Sequence, residues 1–335
     1  MRETAKASLP VQIAAVNPSV TEQDDASPRV AVLLCTKQGE AFLQEQLDSI
    51  ERQTHTSWAV YASDDGSQDA TPAILQDFKR RLGERKVAIR RGPSMGFAAN
   101  FLSLVCNPEI TADFYAYADQ DDIWQDDKLA RAVQFLQTVP GSVPAVYCSR
   151  TCNVDETNTR IGHSPLFTKP PGFANALVQN IGGGNTMVFN HAACLLLRLA
   201  GPDVQVAAHD WWTYLLVTGC GGHVFYDPAP TVRYRQHGVN LVGAKNGWSA
   251  HLHRLYRIRL LFQGRFVKWT DQHLAALQRV EHRLTPQNKS LLAEFAQARQ
   301  STVLNRITSL KRTGVYRQTL FDNLSLVVAA LFRKI

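Results

Sequence analysis

Five aspartates, Asp119, Asp121, Asp122, Asp126 and Asp127, stand within nine residues, directly behind the aromatic and small run FYAYA. Carboxylates packed this closely repel and raise each other's pKa, so the pattern calls for something positive among them. Asp126 and Asp127 suit the first turn of a helix, where backbone amides favour negative charge. Asp119 and Asp121, immediately behind a buried run, have no such role. A calcium loop does not fit: counting from Asp119, the fifth, sixth and twelfth positions are Ile123, Trp124 and Ala130. An EF-hand needs an oxygen ligand, Gly and Glu there. An Asp-x-Asp pair suits a hard divalent cation, Mg²⁺ or Mn²⁺, held by few carboxylates and completed by substrate phosphates.

Other residues could join such a site. Ser63-Asp64-Asp65-Gly66-Ser67-Gln68-Asp69 is composed of ordinary turn residues, yet it also follows an apolar run. Asp210 precedes WWTYLLV, and either caps that helix or serves as a base. His237, in YRQHG, is either a metal or diphosphate contact or a structural histidine. Arg233 and Arg235 alternate along a strand and could face phosphate. Gly182–Gly184 is not a dinucleotide fingerprint, because the G-x-G-x-x-G spacing is missing.

The elements that must position these groups alternate. Arg29–Cys35, Trp58–Ser63, Lys86–Arg90 and Phe114–Ala118 read as strands, and Gly39–Gln53, Thr71–Leu82, Ala98–Val105 and Asp126–Thr138 as helices. This order predicts an α/β domain with a mainly parallel sheet flanked by helices. Ligands bind at the carboxyl ends of such strands, where both acidic stretches fall.

Four segments, VAVLLCTKQGEAFLQEQLDSI, ASDDGSQDAT, GPSMGFAANF and YADQDDIWQDDKL, follow one another over residues 29–140. In order and separation they resemble the family 2 glycosyltransferases, which have the nucleotide-sugar-binding GT-A fold. GGGNTM at 182–187 and AHDWW at 208–212 look like the acceptor half of such enzymes, and YRQHGVN at 234–240 resembles bacterial rhamnosyltransferase-like members. The resemblance implies that Thr36, Asp64 and Asp65 contact the donor's base and ribose, with Gly96 and Asn100 bordering the pocket. Asp119 and Asp121 match the motif that meets donor and metal, Asp121 as the direct ligand, and the metal neutralises the diphosphate leaving group. Asp210 would be the general base on the acceptor hydroxyl, in an inverting single displacement. The family often has Glu where His209 stands, so the role of that position is open. The implied donor is a dTDP- or UDP-sugar, with rhamnose among the candidates, and the acceptor a glycan, lipid-linked, in bacterial surface polysaccharide (O-antigen) synthesis. A non-catalytic nucleotide-binding protein is the alternative, but the intact set Asp65, Asp119, Asp121 and Asp210 favours the enzyme.

With 335 residues, 45% of them apolar and 19% charged, the chain can build a proper core. Its six scattered cysteines read as reduced thiols of a cytosolic protein. Residues 1–28 read as a loose tail without a signal-peptide pattern, 29–244 as the catalytic domain (29–140 donor half, 141–244 acceptor half) and 245–335 as a basic helical extension. From Arg233 onward 18 Lys and Arg face 4 Asp and Glu, whereas the preceding residues are net acidic. Arg and apolar residues interleave over Trp248–Trp269, and Leu320–Phe332 is strongly apolar. These helices either pack on the catalytic domain or dock it to an anionic membrane surface on the cytoplasmic side. No nucleic-acid motif accompanies the arginines.

Overall fold

The structure, a computed structural model, describes residues 27–236 and 265–335. The expected tail up to residue 26, His237 and most of the stretch Trp248–Trp269 lie outside the described residues.

The first half alternates as its sequence dictates. Strand β1 (Val30–Thr36) precedes helix α1 (Leu43–Glu51), β2 (Trp58–Asp64), α2 (Thr71–Leu82), β3 (Val87–Arg91), α3 (Phe97–Val105) and β4 (Phe114–Ala118). These four strands are parallel and lie in the order β3-β2-β1-β4. Short β5 (Ile123–Trp124) and α4 (Lys128–Leu136) follow. The helix expected from Asp126 begins at Lys128: Asp126 lies before it, and Asp127 takes the cap position without a side-chain cap bond.

The second half is mixed. It contains β6 (Ala145–Val154), β7 (Arg160–His163), α5 (Phe173–Ala176), β8 (Val188–Asn190), α6 (His191–Ala200), α7 (His209–Gly219) and the long β9 (His223–Arg235). Antiparallel β8 joins β4 to β6, β9 runs parallel to β6, and β5 and β7 add at the far side. The sheet is thus parallel where strand and helix alternate and mixed beyond β4.

Alternate residues of β1 enter two different cores: Val30, Val32 and Leu34 pack with α1, α2 and α4, and Ala31, Leu33 and Cys35 with α3, α6 and α7. A continuous apolar run is what a strand covered on both faces requires. The chain ends in α8 (Arg265–Arg279), α9 (Pro286–Gln300), α10 (Val303–Thr313) and α11 (Leu320–Leu331). Their Leu277, Leu292, Phe295 and Leu326 belong to the same core as Trp211, Trp212 and Tyr214 of α7. All six cysteines are free, four of them buried.

Candidate active site

Strands β1, β2 and β4 end side by side, and chain order reverses between β1 and β4, the point where an open α/β sheet leaves a crevice. Thr36 Oγ1 donates to Asp64 Oδ1 at 2.9 Å, and Asp64 also accepts from the amide and hydroxyl of Ser67 at 2.9 and 2.5 Å. Asp64 therefore holds the turn together. Its neighbour Asp65 is buried, accepts from the Ser94 amide at 2.6 Å and has Lys37 Nζ 3.9 Å away. A side chain at Gly92 would stand 2.7 Å from Asp65 Oδ1 and 2.8 Å from Asn100 Oδ1, so glycine is needed there. Asn100, on α3, is buried and spends its amide on Ser63, accepting from Oγ at 2.5 Å and donating to the carbonyl at 3.1 Å. Gly96, with φ +92°, caps α3. Beside this edge lies an open cavity of about 540 Å³, lined by Asp64, Ser67, Arg90 and Arg91 among others.

The acidic loop leaves β4 beside the end of β1. Gln120 links the two, accepting from the Lys37 amide at 2.7 Å and donating to the Lys37 carbonyl at 2.9 Å. Burial, then the charges of Asp121 and Asp210, push the Asp119 carboxyl up to about 7, and Lys128 partly offsets this. Asp122 is fully buried and pushed well above the usual range by burial and by its two neighbours. Its Oδ2 accepts from Asn185 Nδ2 at 2.6 Å, while Oδ1 has no hydrogen-bond partner among the described residues.

A lysine lies near these carboxylates. Lys128, fully buried, lies 3.2 Å over the Trp124 ring and donates to the Asn185 carbonyl at 2.7 Å. Burial pulls its pKa down, whereas Asp122 and Asp119 hold it up. The indole face and the carbonyl oxygen favour the ammonium form. Nothing in the motif pattern singles out Lys128, although the periodicity of α4 places it on the buried face with Leu129, Ala132 and Leu136.

Arg235, also buried, braces the loop from behind. It donates to the carbonyls of Asp121 at 3.1 Å and Glu156 at 2.6 Å and pairs with Glu45 at 2.8 Å. Arg233 donates to Asn158 Oδ1 and carbonyl, both at 2.6 Å. The expectation that these arginines could face phosphate is thereby corrected: protein acceptors take both. Alternation along a strand does not reveal which neighbours cover each face.

Asp210, in the first turn of α7, accepts from the Trp211 amide at 2.7 Å and, with its other oxygen, from the Gly184 amide at 2.9 Å. The cap position itself is taken by Ala208 without a side-chain bond, so Asp210 is not the cap the sequence allowed; its second contact ties α7 to the Gly182–Gly184 loop. Burial raises the Asp210 carboxyl against these hydrogen bonds. His209 stacks on Phe101 at 3.9 Å and meets Tyr117 edge-on, with no hydrogen bond to either ring nitrogen among the described residues. Burial takes its pKa down to about 3, so it is neutral. Trp211 and Trp212 are both core, the former donating from Nε1 to the Ala176 carbonyl at 2.7 Å.

The crevice therefore gathers Thr36, Asp64, Asp65, Asp119 and Asp121 at the strand ends, with Asp210 electrically coupled to Asp119. Among the described residues, no group of three or more His, Cys, Asp or Glu side chains could enclose a metal ion. Two carboxylates with substrate phosphates would be the donor set.

A family model described as glycosyl transferase family 2 matches residues 31–198, half of the chain, including every strand-end residue above. The chain belongs to glycosyl transferase family 2. As a member of that family it is a glycosyltransferase with a GT-A fold. It is similar to the dTDP-rhamnosyl transferase RfbG of Shigella flexneri, 27% identical over 242 residues that make up 68% of this chain and 79% of the relative. An uncharacterized glycosyltransferase of Haemophilus influenzae is 25% identical over 222 residues, 63% of this chain and 66% of that one. Among solved structures, residues 1–349 of S. aureus TarS superimpose with a TM-score of 0.51 at 17% identity, covering 86% of this chain and 92% of that one. That likeness concerns the fold alone.

Proposed function

We propose that this family 2 glycosyltransferase moves a sugar, rhamnose being the first candidate, from a dTDP- or UDP-linked donor to a hydroxyl of a lipid-linked glycan, with inversion. Similarity to a dTDP-rhamnosyl transferase supports the donor. The observation that carries the reading is the placement of Asp210, held by the Gly184 amide at 2.9 Å, close enough for its charge to help raise the Asp119 carboxyl. It brings a carboxylate from the acceptor half into the field of the one beside the donor. The acceptor oxygen attacks the anomeric carbon, the bond from that carbon to the diphosphate oxygen breaks, and Asp210 takes the hydroxyl proton. The two amides bonded to Asp210 fix its carboxylate and leave lone pairs for that proton.

The residues present fit a divalent cation. Asp119 is held at about 7 by burial and like charge, a crowding that a bound cation would relieve, and one Asp122 oxygen is buried without a hydrogen bond among the described residues. Asp119 and Asp121 would hold Mg²⁺ or Mn²⁺. When bound, that ion supplies Lewis-acid stabilisation of the departing diphosphate. His237, proposed at sequence level as a further contact, lies outside the described residues.

The test is Asp210→Asn. It is expected to fold, bind donor nucleotide as the parent does, and lose transfer by roughly 10²–10⁴-fold. Near-parental turnover in a folded variant would leave Asp210 with only its structural contacts on α7.

A further inference from the structure

Helix α11 has one face in the core and one in water. Leu326, Ala329 and Ala330 are buried, 3% exposed at most, and belong to the main core. On the other side Leu320 is 87% exposed, Leu324 61% and Leu331 41%, and Val327 and Val328 are also exposed. These five positions are spaced i, i+4, i+7, i+8 and i+11, so they form one continuous apolar stripe. Among the described residues, exposed large apolar side chains outside α11 and its ends, such as Leu166, stand singly or in pairs along the chain. A stripe of this size on a soluble surface marks something it meets.

Charge identifies the partner. Arg333 and Lys334 follow directly behind the stripe, Arg333 exposed and Lys334 half-buried, and Lys311 at the end of α10 is exposed. From residue 303 onward Asp322 is the sole acidic residue, and it faces inward, 6% exposed. Neither α10 nor α11 thus presents an exposed carboxylate. An apolar stripe with a basic C-terminal end and no exposed acid complements the headgroup and acyl layers of an anionic bilayer. Spanning is excluded for this segment, because α11 has 12 residues and no described helix is long and apolar enough to cross a membrane.

We propose that α11 is a membrane-insertion face: the helix lies flat in the boundary layer of an anionic bilayer, with its leucines among the acyl chains and Arg333 and Lys334 at the phosphates. The catalytic body, fixed to α11 through the shared core, is then held at the surface where a lipid-linked substrate resides. The docking itself rests on neither Asp210 nor a bound metal, so the two proposals fail separately.

Flotation of the full chain with vesicles of equal parts phosphatidylglycerol and phosphatidylcholine, without donor or metal, tests this. The parent should float with them. The triple variant Leu320→Gln, Leu324→Gln, Leu331→Gln should lose affinity by at least about 100-fold, since three leucines no longer enter the acyl layer. Donor-nucleotide binding by the variant shows that it is folded. Independently, the single variant Leu324→Trp should show a blue shift in its indole emission on vesicle addition that the parent lacks. Equal flotation of parent and triple variant overturns the proposal, as does a parent that ignores the vesicles or a Leu324→Trp variant whose emission does not move. A parent dimer that the triple variant turns into a monomer, with no vesicle binding by either, also overturns it and makes the stripe a self-association face.

Discussion

Lys128 Nζ, with no exposure to solvent, donates at 2.7 Å to the backbone carbonyl of Asn185, whose side chain donates at 2.6 Å to Asp122. The acidic loop behind β4 and the loop before β8 are therefore fastened twice, once through each end of a single asparagine. The charge that the aspartate cluster demands comes in the first place from the protein itself. A bound cation would add to it.

Replacement of Lys128 should loosen both loops. Lys128→Met keeps the length of the side chain but leaves the Asn185 carbonyl buried without its donor, at a cost of roughly 1–3 kcal/mol. Urea denaturation should show a lower midpoint with an unchanged slope. An unchanged midpoint would make Lys128 an ordinary helix residue.

Protons and a divalent cation should compete for Asp119. Its carboxyl sits at about 7 because of burial and the nearby charges of Asp121 and Asp210. Below that pH it is protonated and must lose a proton before it can ligate. Cation-dependent binding of nucleoside diphosphate should therefore be about tenfold weaker near pH 6 than near pH 8. Calorimetry at the two values decides this, and pH-independent affinity would remove Asp119 from the donor set.

Gly184 leaves no room for a methyl group. A Cβ there would lie 2.5 Å from His209 Nε2 and 3.2 Å from Asp210 Cβ, and His209 is wedged between Phe101 and Tyr117. Gly184→Ala should displace Asp210 and lower kcat by roughly ten- to a hundredfold, with donor affinity little changed. Parental kcat would show that the loop, and not Asp210, gives way.

Acid should destabilise the fold through His273. This α8 residue is buried against Trp211 at 4.6 Å, and burial takes its pKa down to about 4. The folded pKa is depressed, so the unfolded chain binds the proton first. The neutral-histidine contribution is complete above about pH 6.5 and is lost as pH falls towards the folded value, amounting to about 2 kcal/mol by pH 5. His209 adds to the same trend. Unfolding at the two pH values should show a smaller difference for His273→Gln than for the parent; equal differences would contradict the assignment.

Much of the donor half was legible in sequence because its strands are covered on both faces. Continuous apolar runs such as VAVLLC announce themselves, and β4 and α2 occupy the spans their periodicity predicts. The acidic stretches were legible as the polar ends of buried strands for the related reason that such strands rarely end in carboxylates without purpose. The rest depended on which faces meet. Arg235 looked available for phosphate until β9 paired with β6 and Glu45 closed over it. Lys128 drew no notice in the sequence because its partner is Asn185, 57 residues away. The sequence did not reveal that Asp64 also closes its own turn by accepting from Thr36 and Ser67.

The core shared by α7 and the C-terminal helices has a consequence for cooperativity. Asn288 donates to the carbonyls of Thr218 and Gly219, and the Thr285 amide to Gly219, so the end of α7 is finished by groups from the region around α9. Helix α7 also carries Asp210. Local melting of the C-terminal helices would therefore not stay local: it would uncover Trp211 and Tyr214 and release the element that holds Asp210. Helices α8 to α11 act as a keystone for the catalytic layer, and the chain should unfold as one unit although its charge divides it in two.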